Sequence, residues 1–92
     1  MTEQDRLTML KTDLGITSTG YDARLKQVLT SSEKAIRREG VSTLDNTNLD
    51  DCQLIVMYAS WIWRKRDSGD GMPRMLRWSL NNRIFAEKSR AE

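Results

Sequence analysis

Apolar residues recur along most of the chain at intervals of three and four, the spacing that puts side chains on one face of a helix. Leu7, Leu10 and Leu14 predict a first helix over Glu3 to Leu14, with Gly15 as its terminator and Ile16 folding back onto the apolar face. Leu25, Val28, Leu29, Ser32, Ala35 and Ile36 predict a second helix from Gly20 to Arg38. Thr19, three residues before Asp22, fits a capping box at its start. A third helix is expected over Leu49 to Lys65, opened by Asp50 and Asp51 and closed by Arg64 and Lys65 in accord with the helix dipole. It is apolar on two faces, one with Cys52, Ile55, Val56, Ala59, Ile62 and Trp63, the other with Leu54, Tyr58 and Trp61. That is more than one side of a surface helix carries, so it is either the centre of the bundle or in contact with another subunit.

Val41 to Thr47 reads as a connector, with Asp45, Asn46 and Asn48 as turn or cap residues. Arg66 to Met72 reads as a polar loop containing Gly69 and Gly71. Pro73 then opens a fourth helix, where its missing N–H costs nothing. Leu76, Leu80 and Ile84 form its apolar row, with Met75 and Phe85 beside it and Trp78 away from it. No segment alternates with the period of a strand. The expectation is all-α: one domain over residues 1–92, a small bundle of about four helices with a hydrophobic central third helix. The polar run 86–92 is expected to fray.

Composition narrows the function. With no histidine and one cysteine, Cys52, the chain lacks the usual zinc and copper ligand sets, an internal disulfide and histidine acid–base chemistry. Asp50 and Asp51 are adjacent, so on a helix they do not converge as a catalytic pair would. Cys52 falls on the apolar stripe, as small buried cysteines do. Gly69 and Gly71 fit no phosphate-loop spacing, and Asp67 and Asp70 would repel phosphate. The sequence therefore offers no catalytic, cofactor or metal residues and reads as a non-enzyme. No apolar run approaches the roughly 20 residues of a membrane span, and the polar start lacks a secretory signal, so the protein is expected to remain in the cytoplasm of the cell that makes it.

Charge is uneven. Residues 1–63 carry seven basic and nine acidic side chains; residues 64–92 carry eight and four, a net +4. Such a bias suits an acidic partner or nucleic acid, or it is a solvated face. Arg74, Arg77, Asn81, Asn82 and Arg83 could serve a DNA recognition helix, although the preceding break is longer than a helix-turn-helix allows. Three tryptophans are difficult to bury in so small a domain, and aromatic residues and arginine are enriched at protein interfaces. Candidate interface residues are therefore Tyr58, Trp61, Arg64, Arg66, Arg74, Arg77, Trp78, Arg83 and Phe85, with the division between core and interface left open.

The order of these features resembles a family. LKTDLGI ending at Ile16, the Tyr21-Asp22 helix start, AIRREG from Ala35 to Gly40, the acidic start Asn48-Leu49-Asp50-Asp51, and LIVMYASWIWRKRDSGDGMPRML from Leu54 to Leu76 cover most of the chain. Together they resemble the small head–tail connector, or adaptor, proteins of tailed phages and prophages. The resemblance implies a non-catalytic virion protein, made in the bacterial cytoplasm, without cofactor or membrane. It implies a ring of identical subunits beneath the portal protein that completes the head after DNA packaging. The ring would meet a tail-side connector or tail-completion protein and pass genomic DNA without reading its sequence. A small DNA-binding regulator using the basic fourth helix is the alternative, and an unrelated helical partner-binding module is a third.

Overall fold

The computed structural model describes residues 2–68 and 71–91, apart from the side chains of 66–68, 90 and 91. Four helices follow one another: α1 (Glu3–Leu14), α2 (Asp22–Arg38), α3 (Leu49–Ser68) and α4 (Arg74–Ala91), with no strand among the described residues. The third helix packs against each of the other three. Both of its apolar faces are used within the chain: Ile55, Val56, Ala59 and Trp63 on one side, Leu54 and Tyr58 on the other, all in one core with Leu7, Leu10, Leu25, Leu29, Ile36, Leu76 and Leu80. The small all-α bundle with a central third helix is the observed architecture.

The helix ends explain the register. At α1 the Thr2 side chain accepts from the Asp5 N–H at 3.1 Å, and the Asp5 carboxylate accepts from the Thr2 N–H at 3.0 Å, a reciprocal cap. Gly15 takes a left-handed conformation (φ 72°), and Ile16 donates back to the Lys11 carbonyl at 2.9 Å and packs on the core. The cap expected from Thr19 does not form. Helix α2 starts at Asp22 without a side-chain cap, and the Asp22 carboxylate pairs with Lys11 Nζ of α1 at 2.8 Å.

Two other boundaries differ from expectation. Helix α3 runs past Lys65 to Ser68, and Pro73 precedes α4 rather than lying within its first turn, its carbonyl accepting the Arg77 N–H at 3.0 Å. The 86–92 segment departs further: α4 continues to Ala91, and the reason is Glu87, which is buried against the α2–α3 connector.

Ile55 sits at the middle of α3 with no exposed surface. Ile55→Ala is expected to lower the unfolding free energy by about 2–5 kcal/mol in chemical denaturation, through lost burial and the cavity left behind.

Candidate interaction surface

Helix α4 has two faces of different kinds. Its inner face buries Leu76 and Leu80, and its C-terminal half adds charged groups. The Arg83 guanidinium donates to both Asp51 carboxylate oxygens, at 2.7 and 3.2 Å, with the two side chains only 14% and 7% exposed. It also reaches the Thr43 carbonyl and hydroxyl at 3.3 and 3.2 Å. One turn on, Glu87 accepts from the Ser42 and Thr43 hydroxyls at 2.6 Å each and from the Thr43 N–H at 2.7 Å. The donors from Ser42 and then Thr43 outweigh burial and hold the Glu87 carboxyl down to about 2. The Asp51 carboxylate accepts the Asp45 N–H as well, at 2.9 Å.

This arrangement corrects one expected site residue and reassigns one acid. Arg83 was a candidate for docking; its guanidinium is instead engaged inside the fold. Asp51, expected to act only through the helix dipole, is the buried anion that holds it. Breaking such a pair by removing one member costs about 3–5 kcal/mol, because an uncompensated charge remains.

The outer face of α4 carries Met75, Trp78 and Phe85, which are 66%, 61% and 72% exposed. Their spacing of three and seven residues, with Asn82 between, places them on one ridge opposite Leu80. Arg74 and Arg77 are exposed beside its N-terminal end, Arg77 lying 3.6 Å from Glu39, the residue that caps the end of α2. Met75 was not among the expected surface residues; its interval of three to Trp78 was the available signal.

The remaining candidates separate by burial. Tyr58 is a core residue, its ring edge-on to Trp61 at 5.4 Å. Trp61 is half-buried with the Lys65 ammonium 4.4 Å above its ring. Arg64 is exposed and donates to the Asp13 carbonyl at 3.0 Å, tying α3 to the end of α1. The side chain of Arg66 lies outside the described residues.

One strip of α3 is left open. Asp50, Gln53, Met57, Trp61 and Arg64, again at three- and four-residue spacing, form the floor of a cleft between α1 and α4. Met57 lines three cavities along it, of about 270, 460 and 600 Å³. Thr8, Met9, Thr12 and Asp13 stand on the α1 side, and Trp78, Ser79 and Asn82 on the α4 side.

Cys52 lies apart from these surfaces. It is fully buried, its thiol donates to the Asn46 carbonyl at 2.9 Å, and burial pushes its pKa up, away from the reactive thiolate. Among the described residues no three acidic or thiol groups are grouped as a metal site requires, and no helix is long and apolar enough to cross a membrane.

Compared with known proteins, the chain matches no family, no curated protein and no solved structure. The class defined here is therefore a structural one: a helical bundle presenting an apolar ridge and an open cleft.

Two measurements probe this surface. Trp78→Ala should leave the melting temperature nearly unchanged and the chain folded, since the side chain lies mostly outside the core; a loss comparable to the 3–5 kcal/mol of a buried aromatic would contradict its placement. For Glu87 the folded-state carboxyl titrates below its ordinary value, so the stability it contributes is complete above that value and is lost as pH falls toward about 2. Glu87→Gln should be less stable than wild type near neutrality and converge with it by about pH 2, read as urea midpoints across that range. A pH-independent difference would contradict the assignment.

Proposed function

We propose that the chain is a structural adaptor of a tailed-phage or prophage head–tail junction. In this reading it assembles as a ring under the portal, completes the head after packaging and continues the DNA channel toward a tail-side protein. The observation that carries the reading is the exposed Met75–Trp78–Phe85 ridge with Arg74 and Arg77 at its end. Large aromatic anchors beside arginine are the composition of interface centres, and the positive charge steers encounter with an acidic portal surface. The resemblance of the helix order and boundary residues to head–tail connectors supplies the particular partner. Residues Arg64 to Phe85 form the principal docking segment in this reading.

The DNA-regulator alternative loses one of its base-reading candidates, because Arg83 is bound to Asp51. The adaptor reading expects only phosphate contacts, whose affinity falls steeply with salt.

The test uses the purified chain and the portal protein encoded with it, sized by light scattering separately and together. Co-migration that Trp78→Ala abolishes, with that variant still folded, is the expected result. A chain that never joins the portal, or a Trp78→Ala variant that still completes infectious heads, would overturn the docking assignment. A footprint on one defined operator at physiological salt would favour the regulator instead.

A further inference from the structure

We infer that the cavity between α3 and the first turn of α4 binds a small organic acid, an aryl or branched alkyl group carrying one carboxylate, with the Ser60 hydroxyl as its anchor. Such a ligand is separate from the adaptor assembly proposed above, and neither requires the other.

Ser60 is 4% exposed, and its hydroxyl oxygen is buried without a hydrogen-bond partner in the chain. A buried helical serine commonly bonds the carbonyl four residues back, as Ser32 does with Val28 at 2.7 Å. Ser60 does not, and a buried hydroxyl left in that state costs stability until something supplies a partner. It lines a cavity of about 270 Å³ at the end of the cleft, so a ligand there can be that partner.

The walls define the rest of the ligand. Met57, Trp61 and Leu76 are apolar, and an apolar cavity of roughly 150 Å³ already accepts benzene. Lys65, Arg64 and Asp13 add two cations and one carboxylate. The Lys65 ammonium stands 4.4 Å above the Trp61 ring, and Arg64 donates to the Asp13 carbonyl at 3.0 Å. Pro73, Met75 and Leu76 bring the start of α4 to the same space. The Pro73 carbonyl accepts from Arg77, so the amides of Arg74, Met75 and Leu76 precede the helical ladder and carry the positive end of its dipole. The balance suits a monoanion. A phosphate dianion would meet apolar walls where it needs donors, and Asp13 besides.

The test is amide NMR of the labelled full chain titrated with phenylpropionate, with phenylpropanol as the uncharged counterpart. The acid should shift the amides of Ser60, Trp61 and Leu76 at low millimolar concentration or below, and bind about tenfold more tightly than the alcohol. Ser60→Ala should weaken the acid by about tenfold while its melting temperature stays level or rises, because the variant removes an unpaired hydroxyl. Lys65→Met should weaken the acid and spare the alcohol. Shifts confined to other parts of the chain, equal binding of acid and alcohol, or undiminished acid binding by either variant would overturn the inference. So would a Ser60→Ala chain that melts well below wild type, since the hydroxyl would then be serving the fold. A dipeptide ending in a free phenylalanine carboxylate separates two sources of the same chemistry. Tighter binding than phenylpropionate assigns the site to the chain end of a partner, and weaker binding assigns it to a free acid. Loss of acid binding leaves the adaptor reading standing, and a chain that never joins the portal leaves this site standing.

Discussion

The fold depends on how the segment between α2 and α3 is held. Residues 40–48 form neither helix nor strand, so their backbone polar groups need partners from elsewhere. Helices α2, α3 and α4 supply them, and α1 holds one of the segment's side chains. Arg37 of α2 donates to the Ser42 and Leu44 carbonyls at 3.0 and 2.9 Å, and Arg6 of α1 reaches the Asn46 side chain at 3.3 Å. Cys52 and Asp51 of α3 take the Asn46 carbonyl and the Asp45 N–H, and Glu87 and Arg83 of α4 take Ser42 and Thr43. Val41 and Leu44 are buried beneath this network. A connector that would otherwise be a mobile loop is thereby the point where the helices are registered against one another.

The same network fixes the orientation of α4. Its apolar contribution to the core is narrow, chiefly Leu76 and Leu80, with Ile84 half-buried against Gly40. A helix held by so few apolar groups could rotate about its axis. The bidentate Arg83–Asp51 pair and the three donors to Glu87 are directional and prevent that rotation. Rotation of α4 would carry Met75, Trp78 and Phe85 with it, so the polar contacts on the inner face determine where the ridge points.

The helices were legible in the sequence because periodicity is local: Leu25, Val28, Leu29 and Ile36 announce α2 from their spacing alone. The central position of α3 was legible from its two apolar faces. The clasp was not. Asp51 and Arg83 are 32 residues apart, and Glu87 and Thr43 are 44 apart, and no spacing rule connects such pairs. Glu87 stood in a run that reads as a polar tail, and Arg83 stood among other arginines with nothing local to separate it from Arg74 or Arg77. Of the candidate surface, Trp78 was marked by its displacement from the Leu76–Leu80–Ile84 row. Tyr58 is buried, beside Ala35 and Arg38 of α2, but two apolar faces can be covered by one's own chain or by another, and spacing along α3 does not decide between them.

The aromatic residues show why the ridge is exposed at all. Trp63 is buried, edge-on to Tyr21 at 5.6 Å, and Trp61 is half-covered by Tyr58 and Lys65. Both stand in the C-terminal half of α3, where Tyr21 of the α1–α2 loop reaches Trp63 and α3's own Tyr58 and Lys65 cover Trp61. Trp78 stands at the α4 rim of the open cleft, 61% exposed, and no further helix follows within the described residues to cover it. Burying it in the chain would require turning α4 by nearly half a turn, which would expose Leu80 and separate Arg83 from Asp51. The exposed face is the consequence of satisfying the buried one. Because the clasp already holds α4 in a single orientation, a partner meeting this face would not have to bear the entropy of ordering the helix, one of the costs that preorganisation removes from association.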